Sequence, residues 1–186
     1  MDQDIKEKVK IVELSRDDAY LPKLKYRYIA SGYYDLIINR ESKSWRIALA
    51  LKPLEKALEK ISESGFFQEF VEEPRAFAAE MNGEQVGWIE LGYHKWNNRM
   101  RVWEFLVKEN FRQKGIGKLL MEHALKLAKE KGARMLVLET QSCNVTAIDF
   151  YLKFGFELIG FDSAAYSNED IEKKEVRLEL GLKVKA

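Results

Sequence analysis

The chain has 186 residues, 46% of them hydrophobic and 12% aromatic, which suits one buried core and excludes a disordered segment. Its net charge of +1 excludes the basic excess of a nucleic-acid or polybasic membrane binder. A single cysteine, Cys143, excludes an intrachain disulfide, and with two histidines it leaves no zinc-ligand set. The charged segment MDQDIKEKVK lacks the apolar run of a signal peptide, and no stretch reaches the ~20 apolar residues of a membrane helix. These features predict a cytoplasmic domain with no metal, nucleic-acid or membrane partner.

Taken in chain order, KVKIVELS from Lys8 alternates apolar and polar residues as a first strand does. Ser15-Arg16-Asp17-Asp18 then predicts a helix entry with Ser15 as N-cap. Between Tyr26 and Lys60 the pattern predicts a strand at SWRIALALK and a helix at PLEKALEKI, where Pro53 suits a first helical turn. From Ala76 to Val107 the chain reads as a three-stranded antiparallel meander, with turns at Asn82-Gly83 and Asn97-Asn98. A helix follows from Gly115 to Lys131, with Ile116, Leu119, Leu120, Ala124, Leu125 and Ala128 on its apolar face. ARMLVLET is a strand, VTAIDFYLKF a shorter helix ending at Gly155, and FELIGF and EVRLELGLKV are the last two strands. The order defines an α/β (α+β) protein: a mixed, mostly antiparallel central sheet flanked by helices. The long helix joins two apolar strands, so a right-handed parallel crossover is expected there, with ligands beyond the carboxyl ends of the strands.

That end carries FRQKGIGK. A triphosphate-binding loop requires Gly-Lys followed by Ser or Thr, but Gly117-Lys118 is followed by Leu119. A dinucleotide fingerprint requires a third glycine where Leu120 stands. What remains is a turn whose backbone N–H groups converge at a helix N-terminus, with Gly115 and Gly117 leaving room for an anion; alone, it is equally a plain helix-opening turn.

The wider pattern narrows the choice. Arg112, Gly115 and Gly117 after an apolar strand, then Asn144, Ala147, Phe150-Tyr151 and Gly155-Phe156, resemble the Gcn5-related N-acetyltransferase family from about Ala76 to Phe161. Glu109 departs from the proline common at that position. The resemblance implies one domain over residues 1–186, with an acetyl-CoA-binding core at about 76–161 and with strands four and five parallel and splayed. It also implies a diphosphate on the amides of Gln113, Lys114, Gly115, Ile116, Gly117 and Lys118, beside Arg112. The pantetheine arm would lie along Leu106 and Val107, with Asn144, Ala147, Phe150 and Tyr151 as further cofactor contacts. Transfer would be direct, so Cys143 need not be a nucleophile.

Such chemistry requires a neutral amine and a proton for the departing thiolate. The resemblance makes Tyr151 the acid; it lies two helical turns beyond Asn144, which is both a candidate cap and a candidate contact. Glu104 within VWEFLV and Glu139 within MLVLET are candidate bases, and each equally suits a buried structural ion pair. His94 and His123 are weaker candidates.

The segment from Leu138 to Asp162 and the tail YSNEDIEKKEVRLELGL resemble the streptothricin N-acetyltransferase branch. The implied acceptor is a small, cationic molecule carrying a lysine-derived amine, with Glu72, Glu73, Glu169, Asp170 and Glu172 as candidate acidic walls. Tyr33, Tyr34, Trp45 and Trp88 suit either the pocket or the core. A polyamine, another small amine, a protein amino group, or a non-catalytic CoA-binding module are the alternatives. The last strand also offers an edge through which two copies could pair as a homodimer.

Overall fold

The computed structural model describes residues 8–18 and 21–185. Among these, nine strands occur: β1 (Val9–Leu14), β2 (Leu24–Glu41), β3 (Ser44–Ser64), β4 (Arg75–Met81), β5 (Glu84–His94), β6 (Arg99–Val107), β7 (Met135–Gln141), β8 (Glu157–Asp162) and β9 (Arg177–Lys183). Helix α1 spans Ile116–Glu130 and helix α2 spans Val145–Phe154, with a single 3-10 turn at Glu109–Phe111. The residues divide into two compact units. The first holds the described residues up to Tyr26, Glu63–Leu138 and those from Leu182; the second holds Arg27–Ser62 and Glu139–Gly181.

In the first unit the strand order is β1-β4-β5-β6-β7. The meander forms as expected. Asn82 and Gly83 take φ of 53° and 79°, the two left-handed positions of a tight hairpin turn, and Asn98 takes 53°. β6 and β7 run parallel, and their ladder covers only Arg99–Arg101 against Met135–Val137. β6 continues beyond it to Val107. The splayed parallel pair is therefore present, numbered six and seven because β2 and β3 precede it.

β4 is buried on both faces. Phe77 meets His123 of α1 edge-on, with ring centroids 4.6 Å apart. Ala76 and Ala78 join Leu14, Leu24 and Trp88 in a cluster flanked by Tyr26, Phe66, Phe67 and Leu106. α1 buries Ile116, Leu120, Met121, Ala124, Leu127 and Ala128, so its stripe includes Met121 and Leu127, while Leu119 and Leu125 stay half-buried at its margins. Gly87 of β5 controls how closely this helix packs. A Cβ there would stand 3.1 Å from the Leu106 carbonyl oxygen, 3.2 Å from Leu120 Cδ1 and 3.3 Å from Ile116 Cγ2. Close helix–strand packing, the task of a third glycine in dinucleotide folds, is met here from the facing strand. Gly87→Val should cost about 1–3 kcal/mol through overpacking, read as a lower denaturant midpoint with an unchanged slope.

The second unit has the order β7-β9-β8 and a β2–β3 ribbon. β8 and β9 pair antiparallel from Glu157↔Gly181 to Asp162↔Arg177. α2 begins at Asn144 and stops at Gly155, whose φ is 110°. Leu36, Ile148, Val176 and Leu178 form one cluster; Ala30, Tyr33 and Cys143 form another.

Two expected helices are not found among the described residues. PLEKALEKI belongs to β3. Leu54 and Leu58, which pack on the Ala30–Tyr33–Cys143 cluster, are four residues apart, a spacing that puts them on one face of a helix and equally on one face of a strand. Pro53, without an N–H, is tolerated because each strand of a two-stranded ribbon has an open edge. Gly32 makes room beside it: a Cβ there would lie 2.9 Å from the Lys52 carbonyl oxygen. Ser15–Asp18 forms a turn instead of a helix entry, with the Asp17 N–H donating to Ser15 Oγ at 3.2 Å and the Ser15 N–H to Asp18 at 2.7 Å. Residues 19 and 20, where that helix would continue, lie outside the described residues.

Candidate active site

The glycine turn follows directly from β6. After the strand ends at Val107, Phe111 and Arg112 donate backbone N–H bonds to Lys108 and Glu109 at 2.9 and 3.2 Å. Arg112 Nε also donates to the Val107 carbonyl at 3.2 Å, tying the turn to the strand end. Gln113 and Gly115 take φ of 61° and 84°, which curls the backbone and leads its N–H groups into α1. Gly115 is the N-cap, and no side chain caps the helix. The first-turn N–H groups of an α-helix have no intrahelical acceptor, so an anion is a natural partner for Ile116, Gly117 and Lys118. Ile116 is buried and anchors the turn; Arg112, Gln113, Lys114 and Lys118 are exposed around it. The surroundings fit a diphosphate: an uncapped helix N-terminus, a curled backbone and three cationic side chains. Leu106 and Val107 supply the strand that precedes it, beyond the β6–β7 ladder.

Two carboxylates lie on the sheet face opposite α1. Glu104 is half-buried and accepts hydrogen bonds from the Tyr26 hydroxyl at 2.5 Å and from Ser64 Oγ. Burial raises its pKa, while the Ser64 and Tyr26 hydrogen bonds lower it; burial prevails. Directly across the ladder stands Glu90, register partner of Glu104 and 0% exposed. Its Oε1 accepts the Phe67 N–H at 2.5 Å. Its Oε2 is buried and meets no hydrogen-bond partner among the described residues. Burial, reinforced by the charge of Glu104 and opposed by the Phe67 N–H and Arg16, pushes the Glu90 carboxyl up to about 7. Glu90 was missed in the sequence, although a detectable signal exists: it interrupts the apolar run GWIELGY just as Glu104 interrupts VWEFLV.

The remaining candidates lie in the second unit. Tyr151 is buried on α2, its ring 5.5 Å from that of Phe150 and 5.8 Å from that of Phe156. Burial lifts its hydroxyl pKa well above the ordinary tyrosine value, so the proton is retained. Asn144 caps α2 by accepting the Ala147 N–H at 3.4 Å; Asn144, Ala147 and Tyr151 follow one another on a single helix face. Glu139 pairs with Arg177 at 2.7 Å, and Arg177 also holds Glu179 at 2.6 Å. Cys143 is buried beside the Tyr28 hydroxyl at 3.5 Å, and burial raises its thiol pKa, which disfavours a thiolate.

Other candidates find different uses. Asp170 is 1% exposed and accepts bonds from the Tyr166 N–H and the Ser167 hydroxyl, so it holds a turn and forms no wall. Glu73 pairs with Lys95 and Lys131 at 2.7 and 2.8 Å. Tyr33 and Trp88 are core residues, whereas Trp45 is 62% exposed. His123 is half-buried and lies against Phe77. Among the described residues no group of His, Cys, Asp or Glu is arranged to hold a metal, and no helix is long and apolar enough to cross a membrane.

The first unit thus holds a splayed parallel pair, β6 and β7, with an uncapped glycine turn directly after β6. The acetyltransferase (GNAT) family model matches residues 36–156, and the chain belongs to this family. Among its relatives, streptothricin acetyltransferase of Streptomyces lavendulae is 40% identical over 85 residues, 46% of this chain and 45% of the relative. A nourseothricin acetyltransferase structure matches with a TM-score of 0.75 at 25% identity, covering 96% of this chain and 99% of that one. A Bacillus anthracis protein assigned as a streptothricin acetyltransferase, solved with acetyl coenzyme A, matches with a TM-score of 0.76 at 27% identity, over 95% of this chain and 98% of that one. The chain spans about half the length of the curated relatives it matches.

Proposed function

We propose that the protein is an acetyl-CoA-dependent N-acetyltransferase, a single catalytic domain over residues 1–186, whose acceptor is the lysine-derived amine of streptothricin. The observation that carries the transferase reading is the uncapped turn at Gly115, placed immediately after β6 within the family-matched segment. Acetyl-CoA supplies an activated thioester. The N–H groups from Gln113 to Lys118 hold its diphosphate, and Leu106 and Val107 offer strand N–H and C=O groups to the pantetheine. Glu104 takes the proton from the attacking ammonium, directly or through water, and Tyr151 returns a proton at the sulfur. Glu139 is the second carboxylate of this scheme, with one oxygen already engaged by Arg177.

The acceptor assignment draws support from the streptothricin and nourseothricin enzymes among the relatives. It also draws support from the surface around Glu104: two carboxylates beside Tyr26, Phe66, Phe67 and Trp88, a combination suited to a cationic amine. Thiol release from acetyl-CoA should be measured with streptothricin, spermidine and a peptide N-terminus. Streptothricin is expected to give the highest kcat/KM. Turnover confined to spermidine or the peptide would replace the acceptor, and CoA binding without turnover on any amine would favour a binding module.

A further inference from the structure

Glu90 takes no proton step in the scheme above, yet a fully buried carboxylate with an orphan oxygen requires an explanation. Cross-strand register partners bring their Cβ atoms to roughly 4.5–5.5 Å, so Glu90 and Glu104 stand side by side on the aromatic face of the sheet. Two like charges so placed oppose joint ionisation. The groups acting on Glu90 are Glu104 from β6, Arg16 from the turn after β1, and the Phe67 N–H from the segment before β4, while Tyr26 of β2 and Ser64 of β3 engage Glu104. Arg16 is spent elsewhere: its guanidinium donates to the Phe67 carbonyl at 3.3 Å and lies 5.7 Å from the Phe67 ring. Glu104 has two donors and Glu90 one, so Glu104 ionises first and the remaining proton resides on Glu90, whose Oε2 is available to carry it.

We propose that Glu90 is a positioning residue for the transfer: it holds the one proton shared by the Glu90–Glu104 pair and releases it when a cationic amine docks. The resting pair carries a single negative charge. An arriving ammonium supplies the compensating positive charge, the Glu90 O–H bond breaks, and its proton leaves to solvent. Glu104, now beside a second carboxylate, becomes a stronger base for the ammonium's own proton. Each bound ammonium thus displaces one proton to buffer before any acetyl transfer. The inference rests on the acceptor being a cationic amine handled by Glu104, as proposed above.

Binding of streptothricin to the CoA-saturated protein, followed by calorimetry at pH 6.5 in buffers of different ionisation enthalpy, tests it. Wild type should release most of one proton per amine and Glu90→Gln none; the glutamine carboxamide oxygen still accepts the Phe67 N–H. The KM for streptothricin should fall about tenfold between pH 6 and 8 in wild type and stay flat in Glu90→Gln, as a carboxyl titrating near 7 beside a bound cation requires, with kcat changing less. If the variant does not fold, infrared spectra of the wild type with 13C-glutamate should show one protonated carboxyl band lost on amine binding. Wild type without proton release, a variant matching wild type, or no band change would each overturn the proposal. Turnover of streptothricin with an unchanged proton balance sinks this inference alone. Absence of any acetyl transfer by wild type sinks the proposed function with it.

Discussion

Gly117→Trp should weaken acetyl-CoA binding about 100-fold while leaving the fold as stable as before or more so. The two effects separate because they have different origins. Gly117 is the second residue of α1 and is half-exposed; a glycine inside a helix costs roughly 1 kcal/mol relative to better helix formers, so substitution does not penalise folding. Binding depends instead on an anion reaching backbone N–H groups that no side chain caps. Hydrogen bonds to a charged group contribute about 1.5–3 kcal/mol each, and an indole over the turn forfeits at least one or two of them. Calorimetric Kd for acetyl-CoA and a thermal melt check both halves. Lys126→Ala, on the same helix but paired with Glu130 at 3.7 Å, serves as the control and should leave the Kd unchanged. An unchanged Kd for Gly117→Trp would remove the diphosphate from this turn.

Tyr151→Phe should lower kcat by roughly 100- to 10,000-fold, the usual range for loss of a general acid, with acetyl-CoA affinity altered less than twofold. The substitution removes only an oxygen. The ring contacts with Phe150 and Phe156 remain, as do the backbone bonds from the Gly155 and Phe156 N–H groups to the Tyr151 carbonyl. An effect on kcat without an effect on Kd is the signature of a group acting in the transition state. The pH dependence follows from the same burial. With the hydroxyl pKa raised above its ordinary value, the acid stays protonated throughout the neutral range, so any loss of rate below pH 9 has another source. Unchanged turnover in the phenylalanine variant would leave Tyr151 a core residue.

Local sequence determined more of this protein than a bare strand-and-helix pattern does, and the reasons are specific. Asn82-Gly83 supplied both left-handed positions of the β4–β5 turn, so the hairpin was visible in two letters. Gly155 ended α2, and Asn144 opened it through its own side chain. The glycine turn was recognisable because each alternative phosphate motif requires a residue this chain lacks.

The failures also have a physical cause. Leu54 and Leu58 sit on one face under either period, so only the cluster of Ala30, Tyr33 and Cys143 beneath them selects the strand. β2 escaped detection because its alternation breaks at Gly32 and Tyr33, both buried in succession. Asp170 reads as a surface charge until its partners Tyr166 and Ser167 are seen.

The sequence by itself determined the meander, the crossover helix, the turn that suits a diphosphate and the family, because each depends on residues close together in the chain. Only the tertiary structure decided which carboxylates stand together and which are paired. Glu90 and Glu104 are 14 positions apart by their numbering, and it is the β5–β6 register that sets them opposite each other, with Phe67, Tyr26 and Ser64 brought from distant segments to hold them. Arg177, 38 positions beyond Glu139 by its numbering, takes that carboxylate into an ion pair. A carboxylate's chemistry follows from its neighbours and its access to water, and neither is encoded in local spacing.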